Sequence, residues 1–301
     1  MSLCDGRVVI VTGAARGLGR AHALAFAAAG AAVVVNDYGV ALDGTGAATG
    51  PAQHVVDEII AEGGQAVANA DDVADWAGAK RLVDTAISTF GRLDVLVNNA
   101  GFLRDRMLVN LDEDQWDAVI RVHLKGHFAP MRHAAAYWRD ESKAGRRPDA
   151  RVINTSSGAG LMGSVGQGNY SAAKAGIATL SIVAAAELGR YGITVNAIAP
   201  AARTRMTEQT FADTMAAPEG GGFDAMAPEN VSPLVVWLGS SESAHITGRV
   251  FEVEAGKITV ADGWRRGPTV DKGARWDAAG LGPVVGDLLA KATPPEPVYG
   301  V

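Results

Sequence analysis

Short runs of β-branched and other apolar residues alternate with longer alanine-rich stretches along most of the chain, and this alternation limits the folds it can adopt. The pattern is typical of strands joined by crossover helices in a parallel sheet. Continuous runs such as residues 8–11 suit strands that helices cover on both faces, because half-exposed antiparallel strands would alternate apolar and polar residues. We therefore predict an α/β fold, with a doubly wound, Rossmann-like, seven-stranded parallel sheet and helices on both faces.

The expected elements follow from hydrophobic period and breaker residues. Strands are predicted at 7–12, 32–37, 66–71, 93–99, 150–156, 193–200 and 249–253. Helices are predicted at about 18–29, 51–62, 75–90, 113–139, 169–190 and 229–239. Residues 1–260 are expected to form a single domain, and the Gly- and Pro-rich residues 261–301 an irregular extension packed on that domain or on a partner subunit.

The composition excludes several kinds of partner. With 48% hydrophobic and 20% charged residues the chain can bury a large core. A net charge of -6 provides no basic excess for nucleic-acid phosphates, so no nucleic acid is expected. Cys4 is the only cysteine, which excludes an intrachain disulfide and fits a reducing compartment.

Location and metal binding are also constrained by local sequence. The apolar run after Arg7 is too short to span a bilayer and lacks the features of a signal peptide. We therefore expect a cytoplasmic protein with no membrane partner. The six histidines form no short chelating motif with acidic residues, and we predict no metal site.

A glycine-rich turn, TGAARGLG, follows the first predicted strand and opens a helix. Gly13, Gly17 and Gly19 let the backbone approach a pyrophosphate, and the helix that starts at about Leu18 offers free N–H groups to its charge. The spacing differs from the general Gly-x-Gly-x-x-Gly dinucleotide fingerprint. A glycine loop by itself can equally be a structural turn.

The choice of dinucleotide depends on two charged residues. Asp37 ends the second strand, where its carboxylate can accept hydrogen bonds from both adenosine ribose hydroxyls and would repel a 2′-phosphate. It could otherwise be a solvated turn residue or a helix cap. Arg16 in the glycine loop could pair with a 2′-phosphate instead. Because like charges are costly in a partly buried cleft, we give Asp37 the greater weight and predict NAD.

Two further strand ends should lie along the same edge of the sheet. After the third strand, Asp72 could accept from the adenine amino group while Val73 packs near the ring. After the fourth, the sequence NNAG places Asn99, Ala100 and Gly101 where small residues allow the backbone to approach the ribose. The tetrapeptide alone could be merely a turn, so its place at a strand end carries the prediction.

Tyr170 and Lys174 are four residues apart on a predicted helix and therefore share one face. A tyrosine with an ordinary pKa of about 10 can accept a proton near neutral pH only if that pKa is lowered, which an ammonium and a cationic nicotinamide ring can do together. The plain alternative is a surface tyrosine packed on a lysine stem. Ser157, at the end of the fifth strand, could fix a substrate oxygen beside Tyr170, and Ser156 is the competing serine.

Together, TGAARGLG, NNAG, the serine after the fifth strand and YSAAK resemble the short-chain dehydrogenase/reductase family over residues 5 to about 255. The resemblance implies hydride-transfer catalysis by Ser157, Tyr170 and Lys174. Tyr170 would exchange the hydroxyl proton, and Lys174 would also bind the nicotinamide ribose. It further implies a homodimer or homotetramer.

Several longer segments, including NNAGFLRDRM and RVHLKGHF, resemble the (3R)-hydroxyacyl-CoA dehydrogenase units of peroxisomal multifunctional enzymes of type 2. The chain as a whole resembles a free-standing, bacterial-type relative of these units. His123 replaces the asparagine that many family members have. A neutral imidazole can also hold a water, although His123 could simply pack. Pro200 matches the family motif after the sixth strand, whereas PAARTRM is one residue shorter, which weakens the nicotinamide contact expected of Thr204.

The substrate region is expected beyond the sixth strand. Residues 201–228 combine turn formers with methionines, typical of a mobile lid with an adaptable apolar face or, equally, of an interior helix pair. Four arginines could receive CoA phosphates: Arg104, Arg106, Arg203 and Arg205.

The function that these features favour is NAD-dependent interconversion of a secondary alcohol and a ketone. The expected substrate is a 3-hydroxyacyl-CoA, a hydroxysteroid or a CoA thioester of a steroid side chain. The alternatives are an NADPH-dependent 3-oxoacyl-carrier-protein reductase and, from another class, a non-catalytic nucleotide sensor.

Overall fold

A computed structural model describes residues 2–39, 50–204, 216–218 and 222–300. One eight-stranded sheet crosses the molecule in the order β3-β2-β1-β4-β5-β6-β7-β8. Its strands are β1 Val8–Thr12, β2 Ala32–Asn36, β3 Gln65–Asn69, β4 Val95–Asn98, β5 Ala150–Thr155, β6 Ile193–Ala201, β7 Val250–Glu254 and β8 Lys257–Ala261.

Helices lie on both faces of the sheet in the described ranges, and the last of them has no buried residue. They are α1 Gly17–Ala28, α2 Gly50–Ala61, α3 Trp76–Phe90, α4 Glu113–Ile120, α5 Gly126–Lys143, α6 Gly158–Met162, α7 Gly168–Leu188, α8 Ser232–Gly239 and α9 Leu281–Lys291. Short 3-10 turns cover 108–110, 189–191, 228–230 and 278–280, and a π-helix covers Arg121–Lys125. The predicted doubly wound class is confirmed.

The strand count differs from the prediction. Strands β1 to β7 are parallel, but β8 runs antiparallel to β7 in a hairpin, with Glu254 opposite Lys257. The turn needs only two residues, and Ala255 adopts a left-handed φ of 52° there. Most of β8 is exposed, so it lacks the continuous apolar run by which the other strands were recognised.

Successive residues of the central strands enter opposite layers of the core. Val9 and Val11 of β1 pack in the layer that contains α1, α2 and α8, whereas Val8 and Ile10 pack in the layer that contains α3, α5 and α7. All of β1 is buried, as are β4 and β5. This two-sided burial explains why the strands are apolar without alternation.

The predicted helix at 113–139 is interrupted. The α4 helix passes into the π-helix Arg121–Lys125 before α5 begins at Gly126. A π-turn inserts an extra residue into the helical ladder and is frequent at functional sites. The spacing of hydrophobic residues does not predict this π-helix, because the surrounding segment keeps the period of an α-helix.

The residues after β8 extend from the sheet and then reach the loop between α6 and α7. They include α9, which has no buried residue, so the extension is less irregular than predicted. At its far end Tyr299 pairs with Ser164. Among the described residues, the stretch Gly168–Tyr191, which contains α7, is long and apolar enough to cross a membrane, with a mean hydropathy of 1.3; it packs against β5 and β6.

Candidate active site

The glycine loop and the NNAG segment touch at the carboxyl end of the sheet. The Thr12 hydroxyl accepts hydrogen bonds from the backbone N–H groups of Asn99 at 2.9 Å and Ala100 at 3.1 Å. A Cβ placed on Gly13 would lie 2.8 Å from the Ala100 Cα, and Gly13 has a φ of 63°. Only glycine therefore allows this approach between the two segments.

The start of α1 is equally tight. A Cβ on Gly19 would lie 2.2 Å from the Gly13 carbonyl oxygen, so the helix begins against the loop itself. Arg16 is the N-cap but its side chain makes no capping bond. Gly17 has a φ of 51°, and the Thr204 methyl would lie 3.5 Å from a Cβ placed there. Thr204 therefore lies beside the glycine loop, and the first-turn amides have no side-chain cap from Arg16.

Asp37 ties this loop to the end of β2. Its carboxylate accepts from the backbone N–H of Ala15 at 3.0 Å and of Gly39 at 2.8 Å. One bond on each oxygen leaves acceptor capacity on both, since an ionised carboxylate has about four lone-pair sites. The residue thus has a structural role and can also accept from a ligand.

Asp72 and Val73 follow β3 as predicted, but the carboxylate has protein partners. Asp72 accepts from the Arg121 guanidinium at 2.5 Å and from the Ala74 backbone N–H at 2.8 Å. Val73 is buried with 6% exposure, close to Gly126. The ion pair with Arg121 joins the end of β3 to the π-helix, and the adenine contact stays a prediction.

Ser157 and Tyr170 are neighbours in the site. Ser157 leaves β5 and is the N-cap of α6, accepting from the Ala159 N–H at 3.2 Å, and its hydroxyl is close enough to the phenol to lower the pKa of Tyr170. Ser156 turns away and donates to the Lys174 carbonyl oxygen at 2.8 Å. The two adjacent serines therefore have different surroundings, because successive residues of an extended segment point to opposite sides.

Lys174 lies beneath the tyrosine. Its side chain is buried, its Nζ donates to the Thr155 carbonyl oxygen at 2.6 Å, and Nζ lies 5.5 Å from the centre of the Tyr170 ring. Burial lowers the pKa of Lys174 to about 7. The ammonium is therefore only partly charged at neutral pH, unlike an exposed lysine.

The pKa of Tyr170 is raised in the protein alone. Burial raises it to about 12, the hydrogen bond with Ser157 lowers it, and the charge of Asp105 raises it. The sequence had pointed to a lowered pKa from Lys174 together with a cationic ring. Within the chain, burial of the phenol is the larger effect.

His123 lies in the π-helix with its ring across from Tyr170. The ring centres are 5.2 Å apart at an interplanar angle of 87°. Its Nε2 lies 2.7 Å from the Phe102 carbonyl oxygen and 3.2 Å from the Phe102 backbone nitrogen; among the described residues Nδ1 has no hydrogen-bond partner. Burial, with the nearby charge of Lys174, lowers the pKa of His123 to about 3, so the ring is neutral. A Cβ on Gly101 would lie 2.2 Å from this imidazole, which requires glycine there.

Asp105 is a site residue that sequence reasoning missed. Its Oδ2 accepts from the Gln167 side chain at 2.9 Å, and Asn169 donates to the Arg104 carbonyl oxygen at 3.1 Å. Burial raises the pKa of Asp105, and its Oδ1 is buried without a partner among the described residues. These bonds fix the start of α7, and with it Tyr170, to the segment after β4. A carboxylate among several arginines gave no distinctive signal.

His127 was also missed. Its Nε2 accepts from the Thr155 backbone N–H at 3.4 Å, and its backbone carbonyl oxygen accepts from the Asn98 side-chain amide at 3.2 Å. Burial and the charge of Lys174 hold the pKa of His127 well below its usual range. His127 thus connects the ends of β4 and β5. The spacing of the two histidines in VHLKGHF was the available signal.

The region beyond β6 is described only in part. Pro200 lies in β6 opposite Val253, and the Arg203 guanidinium pairs with Asp224. This ion pair competes with the predicted contact of Arg203 to CoA. Arg205 and half of the expected lid, residues 205–215 and 219–221, lie outside the described residues. Within the described ranges, no group of three or more His, Cys, Asp or Glu residues could hold a metal ion.

Comparison with known proteins adds an independent line of argument. A family model described as short chain dehydrogenase matches residues 7–215. A crystal structure of a short chain dehydrogenase from Mycobacterium avium superposes with a TM-score of 0.90, at 68% identity over 99% of this chain and 100% of that one.

Curated relatives carry more specific names. Hydroxyacyl-CoA dehydrogenase ChsB1 of Mycobacterium tuberculosis is 47% identical over 97% of this chain and 91% of its own length. The peroxisomal multifunctional enzyme type 2 of Mus musculus is 47% identical over 84% of this chain, which spans only 32% of that protein. A 3-oxoacyl-[acyl-carrier-protein] reductase of Synechocystis is 40% identical over 86% of this chain and 99% of its own length. The resemblance found in the sequence is confirmed.

Proposed function

The chain belongs to the short-chain dehydrogenase family, and from that membership we propose that it oxidises a secondary alcohol to a ketone, reversibly, with NAD as acceptor. The proposed substrate is a 3-hydroxyacyl-CoA, including CoA thioesters of steroid side chains, or a hydroxysteroid. The observation that carries the proposal is the grouping of Ser157, Tyr170 and Lys174: the Ser157 hydroxyl acts on the pKa of Tyr170, and the buried Lys174 Nζ lies 5.5 Å from the centre of the Tyr170 ring.

The residues that would hold the dinucleotide fit it by shape and chemistry. Gly13 and Gly19 form a cradle that a Cβ would fill, and the first-turn amides of α1 face the same edge. When bound, the nicotinamide supplies the hydride acceptor. Asp37 supports NAD because its oxygens keep acceptor capacity beside the glycine loop. We assign the ribose and nicotinamide contacts to Asn99, Lys174 and Thr204.

The proton of the alcohol goes to Tyr170. Ser157 donates a hydrogen bond to the substrate oxygen and holds it against Tyr170, whose deprotonated phenolate oxygen accepts the alcohol proton as the ketone forms. A pKa of about 12 for Tyr170 makes the phenolate scarce at neutral pH. A positive charge on Lys174, whose Nζ lies 5.5 Å from the centre of the Tyr170 ring, would favour the phenolate.

The substrate class is supported by the relatives that span nearly the whole chain. The similarity to ChsB1 covers 97% of this sequence, beyond the catalytic motifs alone. The exposed Arg106 is a candidate for binding a CoA phosphate. Its backbone N–H donates to the Gly166 carbonyl oxygen at 2.8 Å, near the start of α7.

We further propose a cytoplasmic homodimer or homotetramer.

The substrate and cofactor are tested together by measuring initial rates of NADH formation. The panel consists of 3-hydroxyacyl-CoA thioesters of increasing chain length, a steroid alcohol and matched free alcohols. Faster turnover of thioesters with NAD than with NADP supports the proposal. Exclusive use of NADP would contradict the role given to Asp37, and turnover of free alcohols alone would contradict the CoA class.

A second candidate is the NADPH-dependent 3-oxoacyl-carrier-protein reductase. Arg16 in the glycine loop favours it, because a guanidinium there can pair with a 2′-phosphate. Reduction of a 3-oxoacyl group on carrier protein with NADPH, at a higher kcat/KM than of the matching CoA thioester with NADH, would establish this alternative.

A further inference from the structure

The segment around Tyr299 returns to the active site from outside the body of the protein. The preceding residues 262–297 contain no buried residue, and Trp264 is fully exposed. Tyr299 then pairs with the loop between α6 and α7: its carbonyl oxygen accepts from the Val165 N–H at 2.9 Å, and its N–H donates to the Gly163 carbonyl oxygen at 3.2 Å. These bonds anchor the segment to the loop that joins the Ser157 side of the site to the Tyr170 side.

The ring of Tyr299 lies directly on Gly158. A Cβ built there would be 2.7 Å from the Tyr299 hydroxyl oxygen and 2.9 Å from its Cε2, and the three nearest atoms all belong to this ring. Gly158 follows Ser157 in the chain and is the first residue of α6. The missing side chain at Gly158 is therefore replaced, in space, by an aromatic ring from the far end of the sequence.

The exposed part of this ring is uncharged. Burial and the carboxylates of Glu252, Glu254 and Glu296 raise the pKa of Tyr299 above the ordinary tyrosine value, which keeps the phenol protonated at neutral pH. The side of the ring away from Gly158 is open, since the residue keeps 47% of its exposure. A half-exposed neutral aromatic ring beside the proposed reaction site is suited to binding the apolar part of a substrate.

We propose that Tyr299 is a specificity-determining residue whose ring contacts the larger substituent of the substrate's carbinol carbon. The inference rests on the proposed function and extends it. A substrate oxygen bonded to Ser157 and Tyr170 brings its carbon and the attached groups close to the Gly158 backbone. Because position 158 has no side chain, Tyr299 is the surface that such a group meets on this side.

The first test compares chain lengths. The ratio of kcat/KM for 3-hydroxyhexadecanoyl-CoA to that for 3-hydroxybutyryl-CoA is measured in the wild type and in Tyr299→Ala. Loss of the ring contact is expected to lower this ratio about tenfold, mainly through KM for the long substrate. Tyr299→Phe keeps the ring and should hold the ratio near that of the wild type.

Trp264→Ala removes an exposed aromatic residue from the same extension and is the matched control. It should leave the chain-length ratio unchanged. A Tyr299→Ala ratio equal to that of the wild type, or one that rises, would overturn the proposal, because the ring would then either miss the substrate or obstruct it.

The second test uses Gly158→Ala as a steric probe of the ring. The added methyl should displace Tyr299 and lower the chain-length ratio in the wild-type background. In the Tyr299→Ala background the methyl has room, so the ratio should not fall further. Equal losses in both backgrounds would show that Gly158→Ala acts on Ser157 alone and would contradict the assignment.

The outcomes separate this inference from the proposed function. If the wild type oxidises secondary alcohols but no 3-hydroxyacyl-CoA, the proposed CoA substrate is wrong. The same variants are then compared on a small and a bulky secondary alcohol, and an unchanged preference in Tyr299→Ala overturns the role of Tyr299.

Discussion

Lys174 Nζ lies 5.5 Å from the centre of the Tyr170 ring while donating to the Thr155 carbonyl oxygen at 2.6 Å. The amine thus approaches Tyr170, the proposed proton acceptor, from a fixed point at the end of β5. Burial lowers the pKa of Lys174 to about 7 and raises that of Tyr170 to about 12. Both shifts favour the neutral forms, so at neutral pH the phenol is protonated and the amine is only partly charged.

Asp105→Asn should change the pH dependence of alcohol oxidation. The negative charge of Asp105 raises the pKa of Tyr170, so removing that charge lowers it. Oxidation needs the deprotonated phenol, and the acid limb of kcat/KM against pH should therefore move to lower pH. Asparagine can still accept from Gln167, which keeps the start of α7 in place.

The matched control for this profile is Asp112→Asn, an exposed cap of α4. Its acid limb should coincide with that of the wild type. An Asp105→Asn profile that stays in place or moves to higher pH would contradict the electrostatic role of Asp105.

Lys174→Met should remove the rise in the free energy of unfolding that the wild type shows between about pH 7 and pH 10.5. Lys174 has a pKa of about 7 in the folded protein against 10.5 for the free side chain. Below pH 7 it is charged in both states and above 10.5 it is neutral in both. Between these values only the unfolded chain holds the proton, so the wild type gains stability as pH rises, by at most about 1.4 kcal/mol per pH unit.

Urea unfolding of both proteins at several pH values from 7 to 10 measures this difference. The free energy of unfolding of the wild type should rise relative to that of Lys174→Met, whatever constant offset the substitution causes. Parallel curves over this range would show that Lys174 keeps an ordinary pKa in the folded protein.

Gly13→Ala should weaken dinucleotide binding and stability together. The added Cβ would lie 2.8 Å from the Ala100 backbone, at a residue with a φ of 63°. The glycine loop must then move away from NNAG, and we expect NAD affinity to fall by more than about tenfold. Calorimetric titration with NAD and urea unfolding measure the two effects.

Gly63→Ala is the control, because Gly63 has a φ of 84° but no atom lies within 4 Å of the position that an added Cβ would take. The substitution should lower the free energy of unfolding by about 1–2 kcal/mol, through backbone strain alone, and should leave the NAD affinity unchanged. Wild-type NAD affinity in Gly13→Ala would contradict the placement of the dinucleotide against this loop.

The sequence predicted the parts of the fold that depend on burial and period. Continuous apolar runs identify β1, β2, β4, β5 and β6 because both faces of these strands are covered, whereas β3 and β7 are only partly buried. The exposed β8 and the π-helix at Arg121–Lys125 were not found, since neither changes the hydrophobic pattern. The strand β8 depends on its pairing with β7, and the π-helix on an extra residue in the helical hydrogen-bond ladder; both are visible only in the folded structure.

The predicted catalytic residues were identifiable because Ser157, Tyr170 and Lys174 belong to motifs with fixed local spacing. Asp105 and Tyr299 have no such motif. Asp105 accepts a hydrogen bond from Gln167, and its charge raises the pKa of Tyr170. Tyr299 contacts Gly158, which is far from it in the sequence. Contacts of this kind depend on tertiary packing, which neither residue type nor spacing encodes.

The measurement that bears most directly on the account is single-turnover oxidation by Tyr170→Phe, with NAD binding measured on the same preparation. Removing the phenolic oxygen removes the proton acceptor while keeping the ring against His123. The account predicts a rate lower by at least about a hundredfold at an NAD Kd within about twofold of the wild type. A wild-type rate in Tyr170→Phe would contradict it.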